Sequence, residues 1–65
     1  MLYINLKTEI VKRHISIDAL AQDMHISSQG LIDRIHGLKE FTLSEVHVIL
    51  SVFPDLEFGY LFERV

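Results

Sequence analysis

Cysteine and tryptophan are absent from this 65-residue chain, and it holds only one proline and three glycines. Without cysteine there is no disulfide framework and no thiolate zinc site. So little Pro and Gly excludes a collagen-like repeat or a low-complexity linker. With 49% apolar residues the composition is not that of a disordered tail. No apolar run approaches the ~18 residues that a membrane span needs, so no membrane partner is expected. No basic-then-apolar N-terminal stretch reads as a secretory signal, and the expected location is cytoplasmic. A basic excess is also lacking: the net charge is -3 and the pI about 5.7. The acidity is uneven. Residues 1–39 carry five Lys/Arg against four Asp/Glu, for +1, whereas residues 40–65 carry one Arg against five Asp/Glu, for -4. A chain this short and unstapled must rely on a compact core, helped by a dimer interface, and favours a binding module over a catalytic pocket.

What is present is helical periodicity and helix punctuation. Leu6 and Ile10, with Val11 beside them, suit one face of a helix over about 5–13. Ser16 is an N-cap for a second helix, 17 to about 24, with Asp18 in its first turn and Leu20, Ala21 and Met24 inward. Ser27 or Ser28 caps a third, ending near 36, with Leu31 and Ile35 inward and Gly37 as its stop. Thr42 and Glu45 form a T-x-x-E capping box, with Phe41 and Val46 at the staple positions. The fourth helix then runs to about Val52, with Leu43, Val46, Ile49 and Leu50 inward. Pro54 ends it, and Asp55 is placed to cap a last helix of about 56–62, where Leu56, Tyr60 and Leu61 close the core. The expected fold is all-α, five short helices in one domain spanning residues 1–65.

Two short helices joined by a tight turn, with a capped helix following, is helix-turn-helix geometry, here over about 17–36. Leu20-Ala21, Ile26-Ser27, Leu31 and Gly37 fall in the order of the lambda-repressor/Cro-like family core. The stretch Arg34-Ile35-His36-Gly37-Leu38-Lys39-Glu40-Phe41-Thr42-Leu43-Ser44-Glu45 resembles the small phage-type regulators of that family. The resemblance covers about residues 6–62. It implies a compact five-helix bundle of the lambda-repressor-like type, binding double-stranded DNA as a transcriptional regulator or repressor in a bacterial cytoplasm. It further implies that the third helix, about 28–36, enters the major groove. Ser28, Gln29, Ile32 and Asp33 would then read bases: Gln29 the N6 and N7 edge of adenine, Ser28 a base or phosphate, Ile32 a thymine methyl, Asp33 a cytosine N4. Ser27 and Lys39 would hold phosphates. The chain differs from the family pattern at Ile17, where a polar phosphate contact is common, at His25 in place of the turn glycine, and at Ile35.

Other readings stand beside this one. Gln29 and Ser28 also suit a solvated helix face, and Ser27 and Thr42 are caps first. Lys12, Arg13 and His14 suit the negative end of a helix dipole. The apolar ends, Met1-Leu2-Tyr3-Ile4 and Phe58-Gly59-Tyr60-Leu61-Phe62, either close the core or form a homodimer interface including Phe62 and Val65. The acidic C-terminal half, Ile17 and Asp33 support an alternative: a protein-interaction module, such as an antirepressor that binds a larger regulator. A positive rim of Lys12, Arg13, Arg34 and Lys39 around the third helix would favour DNA over such a partner. The histidines at 14, 25, 36 and 47 are eleven apart but fall on different elements, so no metal site is expected. No glycine-rich phosphate loop or nucleophile–base pair is present; no catalytic residue and no cofactor are expected.

Overall fold

A computed structural model describes residues 2–65 of the chain. It comprises α1 (Ile4–Lys12), α2 (Ile17–Asp23), α3 (Ser28–Ile35), α4 (Leu43–Val52) and α5 (Phe58–Leu61), with no strand among the described residues. None of these helices is long and apolar enough to cross a membrane. The first four lie within a residue or so of the boundaries expected from capping and periodicity.

Their ends are set by local chemistry. Ser16, Ser27 and Thr42 are the N-caps of α2, α3 and α4, their hydroxyls accepting from the amides of Ala19, Gly30 and Glu45. Both halves of the Thr42–Glu45 capping box are present. At the other ends, α1, α2 and α3 stop in the same way. His14, His25 and Gly37 each adopt the left-handed conformation, with φ of 56°, 60° and 80°. The next amide then reaches back to the carbonyl five residues earlier: Ile15 to Ile10, Ile26 to Ala21 and Leu38 to Asp33, at 3.0, 3.0 and 2.9 Å. This is the Schellman arrangement, which satisfies carbonyls that a helix end otherwise leaves orphaned. Glycine takes the left-handed conformation without strain; histidine does so at a cost but more readily than branched residues.

The core comprises Tyr3, Leu6, Ile10, Leu20, Ala21, Met24, Leu31, Ile35, Ile49, Phe53 and Leu61. Leu6, Leu31, Ile49, Phe53 and Leu61 are fully buried. Most of this set follows from helical spacing, but four expectations need correction. Val11 and Leu43 point outward and are 66% and 73% exposed. The buried side of α1 runs through Leu6, Glu9 and Ile10, and Val11, about 140° round the helix from Leu6, falls outside it. Leu43 is the first residue of α4, beyond the stripe centred on Ile49. Tyr60 is exposed, though its hydroxyl is engaged. Asp55 caps nothing: α5 starts at Phe58, Glu57 is its N-cap without a side-chain bond, and Asp55 is taken by Arg13.

The apolar ends of the described chain close on each other. Leu2 and Val65 exchange both backbone hydrogen bonds, at 3.1 and 3.0 Å, and the Tyr3 amide donates to the Ile35 carbonyl at 2.9 Å. Tyr3, Phe41 and Phe62 meet edge to face, with ring centroids 5.3–5.7 Å apart, geometry that the ring quadrupoles favour. Phe62 is therefore used within the chain, while the Val65 side chain stays exposed. Met1 lies outside the described residues.

A polar clamp holds α1 to the α4–α5 segment. Glu9 is buried; its carboxylate accepts from Arg13 Nε at 3.0 Å and from the Tyr60 hydroxyl at 2.9 Å. Arg13 also donates both terminal nitrogens to Asp55, at 2.9 and 2.8 Å, and lies 5.2 Å over the Phe53 ring. The bidentate guanidinium holds the Asp55 carboxyl down to about 2, from an ordinary 3.8. Hydrogen bonding to Glu9 raises the Tyr60 hydroxyl.

Two measurements follow. The left-handed residue strain is about 1–2 kcal/mol and glycine's extra freedom in the unfolded chain offsets roughly half of it, so His25→Gly should stabilise by about 0.5–1 kcal/mol. Thermal unfolding should show a higher Tm for that variant; a fall would contradict the argument. The Asp55 pair contributes fully above the unfolded carboxylate value of 3.8, and the contribution is lost as pH falls towards 2. Asp55→Asn should therefore lower stability at neutral pH and remove that part of the acid sensitivity, read from urea titrations at several pH values.

Candidate nucleic-acid interface on the third helix

α3 is eight residues long and amphipathic. Gly30, Leu31 and Ile35 are buried, which leaves Gln29, with Ser28, Ile32 and Asp33 half-covered, on its outward side. A four-residue turn, Met24 to Ser27, joins it to α2, and α2 and α3 pack closely on one another. Gly30 lies where a side chain would crowd its neighbours: an added Cβ would come within 3.1 Å of both Ser27 Oγ and Arg34 Nη1. Its bare backbone lets the Ser27 cap form at 2.9 Å and lets Arg34 Nη1 donate to the Gly30 carbonyl, also at 2.9 Å.

Ser28, Gln29, Ile32 and Asp33 share the outward side of α3 but do not stand free. The Ser28 hydroxyl donates to Asp18 on α2. Gln29 Nε2 donates to Asp33 Oδ1, one turn along, at 2.9 Å. A carboxylate only accepts, so this bond fixes the amide: nitrogen towards Asp33, with Oε1 and one N–H left unclaimed by it. Ile32 forms one wall of an apolar depression between α1, α2 and α3, together with Val11, Ile17 and Ile35. Ser27 is exposed and its oxygen is occupied as a cap acceptor, which leaves its proton available to another partner. Lys39 is exposed in the turn beyond α3 and forms no ion pair with a described residue.

Sequence reasoning missed the fate of the arginines. Arg34 Nε donates to Glu45 Oε1 at 2.9 Å, and this carboxylate oxygen also accepts the Thr42 amide at 3.0 Å. The two side chains are only 16% and 9% exposed, so the ion pair is largely desolvated and ties α3 to the start of α4. Arg13 is committed to Glu9 and Asp55. A positive rim of Lys12, Arg13, Arg34 and Lys39 is therefore reduced to its two lysines as uncommitted charges. The sequence carried one hint, since Glu45 at the third position of a capping box points inward over the cap and draws in any nearby cation. The eleven-residue separation of Arg34 and Glu45 gave no local signal.

His14 and His25 end helices, His36 is the C-cap of α3 and His47 lies within α4. No group of three or more His, Asp or Glu is arranged to hold a metal ion among the described residues.

Glu45 serves both the cap and the ion pair, and two substitutions separate these roles. Glu45→Gln keeps an acceptor for the Thr42 amide but loses the charge facing Arg34, and should cost about 1–2 kcal/mol. Glu45→Ala loses both and should cost about 2–3 kcal/mol. Chemical denaturation of the two variants checks this order; equal losses would mean that the acceptor for the Thr42 amide adds nothing beyond the ion pair. In comparisons with family models, curated proteins and solved structures, nothing matches this chain.

Proposed function

We propose that the chain is a small sequence-specific regulator of transcription that binds double-stranded DNA, of the lambda-repressor/Cro-like helix-turn-helix type found in phages. The observation that carries this reading is the pairing of α2 and α3 across a short turn, with Gln29 on the outward face of the first turn of α3. In this reading α3 enters the major groove and α2 lies across the backbone. Gln29 retains Oε1 and an N–H, the two groups needed for the N6 and N7 edge of adenine. Asp33 holds that amide in place, and Asp18 orients the Ser28 hydroxyl. Ile32 meets a thymine methyl at the edge of the site. Ser27 donates its free proton to a phosphate, and Lys39 supplies a charge there. As an isolated half-site reader the domain acts as a homodimer on paired half-sites.

A second reading is favoured by one observation. Arg34, the one arginine of α3, is turned to the buried Glu45, while Asp18 lies beside the reading residues and Asp33 stands among them. A face so short of positive charge also fits a module that binds a larger regulator protein instead of DNA.

Fluorescence anisotropy with the DNA flanking the chain's own coding region, across a salt series, separates the two. On the DNA reading, Gln29→Ala should relax sequence preference by about 1–3 kcal/mol at one base pair. Lys39→Ala should weaken binding to all sequences alike and flatten the log–log salt slope by about 0.9. Folded protein that binds no DNA at low salt would overturn the DNA reading and leave the protein partner.

A further inference from the structure

α1 carries two apolar stripes where a surface helix needs one. Leu6 and Ile10 face the core, whereas Ile4 and Val11, two turns apart, face out and are 37% and 66% exposed. The outward stripe opens onto two adjoining depressions. The first, about 260 Å³, has Val11, Ile17, Ile32 and Ile35 in its walls, with Lys7 and His36. The second, about 380 Å³, is lined by Ile4, Thr8 and Lys12, and shares Lys7 and Val11 with the first. Together they form one apolar strip along α1 that crosses to the start of α2 and the outward side of α3.

The strip's charge is the reverse of the molecule's. The chain has a net charge of -3, yet no carboxylate lines either depression. Lys7 and Lys12 form no ion pair with a described residue, unlike Arg13 and Arg34. An apolar floor between unanswered lysines is complementary to a helix with aliphatic side chains on one face and Asp or Glu at its flanks. The nine residues of α1 extend ~13 Å, so about two to three turns of such a helix would fill the strip. A second copy of this chain offers no suitable helix. On α2, with Asp18 and Asp23, the aliphatic Leu20 is in the core and the other exposed residues are only Ala19 and Gln22. Glu45 is buried against Arg34, Asp55 is held by Arg13, and Glu57 and Glu63 flank a helix of only four residues.

We infer that the strip formed by α1 with Ile17 and Ile32 is a docking groove for an acidic amphipathic helix of another protein. Ile17 and Ile32 belong to the groove, so its occupation covers part of the face assigned above to DNA. Docking and DNA binding therefore exclude one another; this competition rests on the DNA reading, whereas the docking does not.

The test uses the whole chain and a labelled synthetic helix of about four turns, with Leu at i, i+3, i+4 and i+7 spacing and Glu elsewhere. The control peptide has Lys in place of every Glu. Without DNA, the acidic peptide should bind saturably, with methyl chemical-shift changes centred on Val11, Ile17 and Ile32. Lys7→Glu with Lys12→Glu should weaken it about tenfold, and Val11→Asp should abolish it. Both variants alter exposed side chains, and circular dichroism verifies that they fold. Absence of binding, equal binding of the basic peptide, or shift changes centred on Leu38, Leu43 or Phe58 would each overturn the inference. Adding the peptide to a DNA complex should release the DNA. A peptide that binds the free chain but leaves bound DNA in place overturns the competition alone, and a chain that binds peptide but never DNA overturns only the DNA reading.

Discussion

Two carboxylates, Glu9 and Glu45, are largely removed from water, and much of the remaining structure answers them. A desolvated carboxylate is costly unless it is paired and hydrogen-bonded. Glu9 takes Arg13 and the Tyr60 hydroxyl; Glu45 takes Arg34 and the Thr42 amide. The first set joins α1 to α5 and, through Arg13, to Asp55 in the connection after α4. The second joins α3 to α4. A core of eleven buried apolar residues is thus bracketed by two polar fastenings. No buried side-chain nitrogen or oxygen is left without a partner among the described residues.

The same constraint shapes the surface. Arginine suits these sites because its planar fork can serve two acceptors at once, as Arg13 does with Asp55 and Glu9 and Arg34 with Glu45 and the Gly30 carbonyl. Both arginines are consumed internally, and the free positive charge near α1 and α3 is carried by lysines. The electrostatic character of that side of the molecule is therefore a by-product of how the core is fastened, and cannot be obtained by counting charges along the chain.

The parts of the fold legible in the sequence are those decided within a few residues. Ser16, Ser27, Thr42 with Glu45, and Gly37 each act on their own turn, and the helices begin and end where they indicate. The inward sets of α2 and α3 follow from spacing alone. What was not legible depends on distant partners. Phe53, four residues after Ile49, continues the inward stripe of α4 but falls past its end, beside Pro54, and lies outside the expected core; it is fully buried. Asp55 looks like a cap until Arg13, forty-two residues earlier, is brought beside it. The candidate site divides in the same way. The outward placement of Ser28 and Gln29 follows from Leu31 and Ile35 facing inward. The bond from Ser28 to Asp18, the burial of Arg34 and the union of Ile32 with Val11 and Ile17 required the packed helices.

The two ends of the described chain have a consequence of their own. Leu2 and Val65 are held as a reciprocal hydrogen-bonded pair, and Tyr3 is bonded to the last residue of α3. Topologically the domain is nearly a closed ring, with its opening beside the C-terminal end of that helix. Modules grafted onto both ends would leave the surface through one doorway, and short flexible tethers would keep them at millimolar effective concentration with respect to each other. The fold would then act as a coupler, bringing together two attached modules without contacting either.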